Sequence, residues 1–172
     1  MPLSETLIQE MIINCKNHKH DLQSKHISVI LLNGIPITKF HYNYRRCKIM
    51  GIYTGTSHAE ICAIKQLFTI MNLYYIDYIN PSSCSSHNKT IKIIKRKISR
   101  YSILVLRVNN KGQLLNSKPC LHCLGILKLY GLNKIYYSNN NGIITEEKIK
   151  NMDTNHLSRI NKTSFKSHVL FS

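Results

Sequence analysis

Apolar residues recur along this chain in two alternating patterns, one with helical spacing and one typical of buried strands. Helical spacing covers residues 7–18, 59–68 and 120–130. Strand-like stretches cover residues 26–32, 35–42, 101–108 and 134–138. Helices and strands that alternate in this way are typical of an α/β domain, and 172 residues are enough for one such domain with a substantial core.

Turn residues predict how several of these strands are connected. Asn33-Gly34 separates two strand-like stretches and is a strong hairpin signal. Residues 139–142, Asn-Asn-Asn-Gly, come directly before another apolar stretch, so we predict a tight hairpin and a fifth strand antiparallel to the fourth. A parallel fifth strand would need a crossover of about a dozen residues. The polar residues 80–88 are predicted to form a loop, while the basic residues 89–97 either form a helix or lead into the next strand.

The start of the second helix carries a histidine and an acidic residue. Thr56 and Ser57 are good N-cap residues, which would place His58 and Glu60 in the first helical turn. Glu60 is the only acidic residue between positions 21 and 77, and its neighbours are apolar. An unpaired carboxylate in such a place is costly, so we expect Glu60 to have a chemical role.

The third helix begins with two cysteines. Pro119 suits the first helical turn, and Cys120 and Cys123 would lie on one face with their sulfurs near the positive end of the helix. Both thiols are therefore disposed to ionise and bind a metal. With His58 they supply three ligands of a tetrahedral zinc site that keeps one position for water, and Glu60 is then the carboxylate that carries protons.

Each of these residues also has a simpler interpretation. A Cys-x-x-Cys pair alone fits a redox pair about as often as a zinc site. His58 alone would more often be an ordinary surface or core histidine, and Glu60 alone a capping carboxylate. The combination of the two motifs favours a metal. A zinc-stabilised binding module without catalysis is a further alternative, although such a module would not require Glu60.

His-x-Glu followed by Pro-Cys-x-x-Cys, in this order, is the signature of zinc-dependent nucleobase deaminases. Over residues 27–149 the chain resembles the cytidine and deoxycytidylate deaminase superfamily, and residues 134–142 resemble the strand and turn that follow its second zinc helix. The resemblance implies that residues 1–172 form a single three-layer α/β/α domain with a mixed five-stranded sheet.

The same resemblance implies a chemistry. His58, Cys120 and Cys123 would bind zinc, and Glu60 would be the proton shuttle. The reaction would be hydrolytic attack of water on C4 of cytosine, with Glu60 moving the proton to N3 and then to the departing ammonia.

The resemblance also suggests how the substrate is held. Asn43 resembles the asparagine that contacts the sugar, and Ala59 and the main chain of Lys118 would meet the pyrimidine edge. An antiparallel fifth strand resembles the deaminases of free cytidine, whereas a parallel one resembles those of polynucleotides and deoxycytidylate. We therefore expect a small pyrimidine nucleoside or nucleotide as substrate. Arg45 and Arg46 are candidates for binding a 5′-phosphate, since guanidinium groups match phosphate oxygens in pairs.

Two Cys-x-x-His pairs lie outside these motifs. Some deoxycytidylate deaminases carry a second, structural zinc, and by that resemblance Cys15 with His18 and Cys84 with His87 could form a Cys2His2 site. Such a site would tie the first helix to the loop at residues 80–88. The alternative is that these side chains bind no metal, as is common for cysteines and histidines in loops.

The chain is strongly basic, with a net charge of +16. This charge supports a second hypothesis, in which the enzyme acts on cytosine or adenine in RNA or single-stranded DNA and its positive face tracks phosphates. Abundant lysine, isoleucine and asparagine with little arginine also fit an AT-rich genome. In that case the basic residues 89–100 form a solvated face.

The sequence carries no sign of a membrane segment. Nowhere do eighteen apolar residues run uninterrupted, and Glu5 and Glu10 precede a short apolar group unlike a signal peptide, so we expect an intracellular, cytoplasmic protein. Six cysteines, two of them needed as thiolates, fit a reducing compartment better than a disulfide framework. The sequence leaves open whether the chain forms a homo-oligomer.

Overall fold

The computed structural model describes residues 3–19, 25–49, 52–73 and 85–156. Within these ranges the chain forms four α-helices, α1 (Glu5–Asn17), α2 (Ala59–Ile70), α3 (Ser85–Ile98) and α4 (Leu121–Tyr130), and a short 3₁₀ helix (Ile149–Asn151). None of the helices in the described part of the chain is long and apolar enough to cross a membrane.

The strands form one large sheet and one separate hairpin. They are β1 (Lys25–Leu32), β2 (Ile35–Pro36), β3 (His41–Tyr42), β4 (Tyr44–Ile49), β5 (Ile52–Ser57), β6 (Tyr101–Val108), β7 (Leu114–Leu115), β8 (Lys134–Ser138) and β9 (Ile144–Lys148). The large sheet has the order β2-β1-β6-β8-β9, and the short strands β3 and β7 pair with β1 and β6. Strands β4 and β5 pair with each other in a two-stranded sheet of their own.

The large sheet is mixed, as the sequence predicted. Strands β6 and β8 are parallel, with a register that runs to Val105 opposite Tyr137, whereas β8 and β9 are antiparallel. Asn139 builds the turn between β8 and β9, because its side-chain oxygen accepts hydrogen bonds from the N–H groups of Asn141 and Ile143 at 2.9 and 3.0 Å. The predicted hairpin and the antiparallel fifth strand are confirmed.

The first hairpin is confirmed at its turn but not along its second strand. Asn33 and Gly34 both have positive φ angles, 52° and 84°, as a two-residue hairpin turn requires. The predicted strand 35–42 is broken into β2 and β3. Pro36 has no N–H to continue a ladder, and the Thr38 hydroxyl accepts the hydrogen bond from the Ile30 N–H at 3.0 Å. A side chain therefore replaces a main-chain partner where the strand is interrupted.

Helices cover both faces of the large sheet. The core beneath α1 contains Leu7, Met11 and Cys15 against apolar residues of β1 and β6. The opposite core joins α2, α3 and α4 to the sheet, and its members include Ile64, Phe68, Ile94, Ile98, Leu124, Leu127 and Tyr130. The domain therefore has the three layers, α/β/α, that were expected.

Helix α3 includes residues that were predicted to lie in a loop and residues for which a helix was one of two predicted alternatives. Residues 85–88 were predicted to lie in a loop, but α3 begins at Ser85, and residues 80–84 lie outside the described part of the chain. Of the two alternatives for residues 89–97, the helix is found. Ile94 and Ile98 are four residues apart and buried, so apolar packing on one face stabilises a helix whose exposed positions include Lys92, Lys95, Arg96 and Lys97.

Candidate metal centre

Strand β5 leads directly into α2, and His58 is the residue between them. Thr56 and Ser57 were predicted to cap the helix, but Ser57 pairs with Tyr44 and both predicted caps belong to β5. The N-cap is His58, whose carbonyl accepts hydrogen bonds from the Ile61 and Cys62 N–H groups. Because strand pairing continues through Ser57, the helical turn starts one residue later than predicted. The His58 side chain makes no capping hydrogen bond to α2. Its ring lies beside Cys120 and Cys123 instead.

Cys120 has the corresponding position at the start of α4. It is the N-cap residue, and its carbonyl accepts a hydrogen bond from the Leu124 N–H at 2.9 Å. The helix therefore begins at Leu121, and Pro119 precedes the cap instead of lying in the first turn. Cys120 and Cys123 are both buried, 4% and 0% exposed. Two helix starts thus place the three predicted ligands next to each other.

The distances among these three side chains suit a tetrahedral metal. The Nδ1 atom of His58 lies 3.2 Å from the Sγ atom of Cys123 and 3.5 Å from that of Cys120, and all three ligand atoms lie within 4.8 Å of one another. Ligands of a tetrahedral zinc, at about 2.1 Å for nitrogen and about 2.3 Å for sulfur, are about 3.6–3.8 Å apart. One imidazole and two thiols are also ligands that zinc prefers. These residues fit a zinc ion. His58, Cys120 and Cys123 would be its protein ligands.

Glu60 lies beside this group inside the protein. It is 4% exposed, and its carboxyl group interacts with the His58 ring and the Cys123 thiol. Burial raises the pKa of Glu60, although the neighbouring His58 partly opposes that effect. A buried acid beside three ligands, and not needed as a fourth, is the arrangement that the sequence predicted.

Contacts among the three side chains shift their pKa values in different directions. The hydrogen bond from Cys123, opposed by burial and assisted by His58, lowers the pKa of Cys120 to about 3. The same bond and burial raise the pKa of Cys123. Burial alone would lower the pKa of His58, but its hydrogen bond to Cys120 and the charges of Glu60 and Cys120 raise it to about 9. The contacts of Cys120 with Cys123 and His58 thus favour its thiolate form, which is the form that binds a metal.

No family model matches this sequence, and no curated protein does. Among solved structures, cytidine deaminase from Burkholderia pseudomallei superposes with a TM-score of 0.51 and 12% identity, over 90% of this chain and 100% of that one. The chain has the cytidine deaminase-like fold. Cytidine deaminase from Mycobacterium leprae superposes with a TM-score of 0.47 and 13% identity, over 86% of this chain and 95% of that one. The His58, Cys120 and Cys123 group has the ligands and spacing that a zinc ion requires.

In this deaminase-like fold, the long segment between Asn43 and His58 is the β4–β5 hairpin, which the sequence analysis missed. Tyr44 pairs with Ser57, so the hairpin closes at its base and returns the chain to His58. The Asn43 side-chain oxygen accepts a hydrogen bond from the His26 N–H at 2.8 Å, which ties the hairpin to the start of β1. Adjacent arginines on β4 and two threonines separated by a glycine on β5 gave no strong strand pattern, and the two strands are recognised from their pairing.

The remaining predicted substrate residues lie along the two segments that lead to the ligands. Arg45 pairs with Thr56 near the base of the β4–β5 hairpin, and Arg46 follows it, while their side chains lie outside the described part of the structure. Ala59 is buried at the start of α2. Lys118 is half-buried two residues before Cys120, and its N–H donates to the Asn116 side chain at 2.9 Å. Their contacts with a substrate stay predictions.

The second predicted zinc site stays a prediction as well. Cys15 is fully buried on the inner face of α1. Burial raises the pKa of its thiol to about 12, although the charge of Lys25 opposes this shift. The His18 ring stacks on that of Tyr42, with ring centres 3.7 Å apart. Cys84 and the His87 side chain lie outside the described part, and α3, which carries His87, packs on the opposite face of the sheet from α1.

Ser28, which is not among the predicted site residues, supports the start of α2. Its hydroxyl, 0% exposed in the middle of β1, donates a hydrogen bond to the Ala59 carbonyl at 2.8 Å. A lone serine in an otherwise apolar buried strand is the signal that could have revealed it, because a buried hydroxyl needs a partner. Ser28 thereby joins the sheet to the helix that carries His58 and Glu60.

We expect Ser28→Ala to lower the free energy of unfolding by about 0.5–1.5 kcal/mol, because it removes a buried hydrogen bond to the Ala59 carbonyl. Urea unfolding followed by circular dichroism measures this loss. Ser99→Ala is the matched control, since the Ser99 hydroxyl also donates to a carbonyl, that of Arg96, but at the surface. Equal stability of the two variants would contradict the role given to Ser28.

Proposed function

We propose that this protein is a zinc-dependent deaminase that hydrolyses a cytosine nucleoside or nucleotide to the uracil product and ammonia. The observation that carries the proposal is the group of His58, Cys120 and Cys123 with Glu60 buried beside it. Zinc held there would lower the pKa of a coordinated water toward neutrality, which is the chemistry that hydrolysis at neutral pH needs.

Glu60 is the residue that moves the proton. Burial raises the pKa of Glu60 and thereby favours uptake of a proton, which suits a group that accepts a proton and returns it. We infer that Glu60 takes a proton from the attacking water, gives it to N3 of the base and then carries a proton to the departing amino group. Asn43, Ala59 and the Lys118 main chain would orient the sugar and base.

The number of ligands supports catalysis over a purely structural zinc. Structural zinc sites in proteins are almost always closed by four protein ligands, whereas catalytic sites keep one position open. Among the described residues, the group that can hold a metal has three members. A structural site would also gain nothing from Glu60, whose burial is costly.

The antiparallel β9 supports a small substrate. The tight turn at Asn139 brings β9 back along β8, so the chain after Ser138 stays close to the sheet instead of crossing over it. Arg45 and Arg46, near the base of the hairpin that leads to His58, are our candidates for binding a 5′-phosphate.

A second candidate function, deamination of RNA or single-stranded DNA, is favoured by charge. Along α3 the side chains of Lys92, Lys95, Arg96 and Lys97 are exposed, and the chain carries +16 overall. Such a surface could track phosphates. The two candidates differ in the substrate that is turned over.

Ammonia release over a panel of substrates tests whether the protein acts on small pyrimidine compounds or on RNA and single-stranded DNA. We expect faster deamination of free cytidine, deoxycytidine or their monophosphates than of short RNA or DNA at equal base concentration. Arg45→Ala or Arg46→Ala should lower kcat/KM for a monophosphate by about 10–100-fold, since a charged hydrogen bond contributes about 1.5–3 kcal/mol, and should change the rate for the nucleoside little.

Lys111→Ala, in the turn before β7, is the control for the loss of one positive charge. Salt-sensitive editing of an oligonucleotide without turnover of monomers would overturn the small-substrate proposal in favour of the second candidate. Equal losses for nucleoside and monophosphate would remove Arg45 and Arg46 from the phosphate role.

A further inference from the structure

Ser117 lies where two parallel strands of the sheet separate. The ladder between β6 and β8 ends with Val105 opposite Tyr137. Beyond this point the segment that follows β7 enters between the carboxyl ends of the two strands, and Ser117 within it is only 2% exposed. Ser138, the last residue of β8, is fully buried beside it.

The two serines replace the missing ladder with side-chain hydrogen bonds. The Ser117 hydroxyl donates to the Val105 carbonyl at 2.8 Å and accepts from the Ser138 N–H at 2.8 Å. The Ser117 N–H in turn donates to the Ser138 carbonyl at 2.8 Å. The Ser138 hydroxyl donates to the Leu115 carbonyl and lies 2.9 Å from the Ser117 hydroxyl. The pair thus fixes this segment to both strands at once.

The chain between Ser117 and the metal centre is short and stiff. Lys118 and Pro119 are the two residues before Cys120, and the proline ring restricts its own backbone angle. The Asn116 side chain accepts a hydrogen bond from the Lys118 N–H and donates one to Asn140 in the β8–β9 turn. A displacement of Ser117 would therefore be transmitted to Cys120.

We propose that the hydroxyl pair of Ser117 and Ser138 positions Cys120 for metal binding. These residues do not touch the metal or substrate; they hold the segment that presents Cys120 to His58 and Cys123. The inference rests on the proposed function only in requiring zinc at this site. A purely structural role would lower stability and leave zinc affinity unchanged, and this difference makes the two roles separable.

Ser117→Ala tests the pair directly. It leaves the buried Val105 carbonyl and Ser138 N–H without their partner, so the segment must shift to satisfy them. Residues that orient metal ligands typically change metal affinity by about 10–100-fold when replaced, and we expect a loss in that range. Zinc affinity is measured by competition with a coloured chelator, and stability by urea unfolding of the same samples.

Met11→Ala is the matched control for lost stability. Met11 is fully buried in the core beneath α1, on the face of the sheet opposite the metal centre. It should lose at least as much stability as Ser117→Ala and keep wild-type zinc affinity. Should Ser117→Ala not fold, Ser138→Ala replaces it, since it removes the hydroxyl beside Ser117 while the main-chain bonds stay.

Weaker zinc binding in the folded serine variant, with unchanged binding in Met11→Ala, is the expected result. Unchanged zinc affinity in that serine variant, or an equal loss in Met11→Ala, would overturn the proposal. Wild-type protein that binds zinc without deaminating any substrate would instead contradict the proposed function and leave this inference standing. The two failures are therefore distinguishable.

Discussion

Glu60→Gln should reduce the rate of deamination by about 10²–10⁴-fold while the protein keeps its fold and its zinc. The amide has the size of the carboxyl group but cannot accept a proton, so it removes the proton carrier and little else. Because Glu60 is 4% exposed, a variant that changes volume would disturb packing, and glutamine avoids this. Ammonia release at saturating substrate, with zinc content determined on the same preparation, measures the effect.

Glu147→Gln is the matched control for this experiment. Glu147 on β9 accepts a hydrogen bond from the Tyr137 hydroxyl at 3.1 Å, outside the metal centre. It should retain wild-type activity within about twofold, since surface substitutions away from such centres change little. A Glu60→Gln enzyme with wild-type turnover would remove Glu60 from the mechanism.

Cys120→Ser and Cys123→Ser should each abolish tight zinc binding, and wild-type protein should contain one zinc per chain at the site formed with His58. Zinc that binds only the folded protein stabilises it by about 4 kcal/mol at a thousand times its Kd. We therefore expect added zinc to stabilise the variants much less than it stabilises the wild-type protein. Metal analysis and urea unfolding with and without a chelator measure both quantities.

Cys62→Ser is the control for the loss of a thiol. Cys62 is half-buried on α2 and lies 3.1 Å from the Ser57 hydroxyl, outside the group of ligands. This variant should keep its zinc. A folded wild-type protein without zinc, in which Cys120 and Cys123 form a reversible disulfide, would favour the redox interpretation.

Local signals in the sequence were sufficient to predict much of the fold. Strands β6 and β8 have the predicted limits, and the turns at Asn33-Gly34 and Asn139 are formed as expected, because turn residues act over a few neighbouring positions. The grouping of His58, Cys120 and Cys123 was also predictable, since it follows from residue type and order.

Features that depend on distant pairing were not predictable. Thr56 and Ser57 have the side chains of helix caps, but pairing with β4 keeps them in a strand. Ser117 has no distinguishing local pattern. Ser28 stands out in its apolar strand, but its partner could not be predicted, because the role of a buried hydroxyl depends on which carbonyl the fold brings to it. Residues 85–88 are polar, yet packing of Ile94 and Ile98 further along stabilises the helix that includes them.

The β4–β5 hairpin suggests how this fold accommodates changes in chain length close to the candidate metal centre. Its two strands close on each other at Tyr44 and Ser57, so the spacing between Asn43 and His58 is set at the base and is independent of the far end at Ile49 and Ile52. Doubling the length of a flexible loop costs only about 0.6 kcal/mol in closure entropy. Residues inserted or deleted at that end would therefore leave the ligand geometry intact, which makes the hairpin a natural site for grafting new recognition elements.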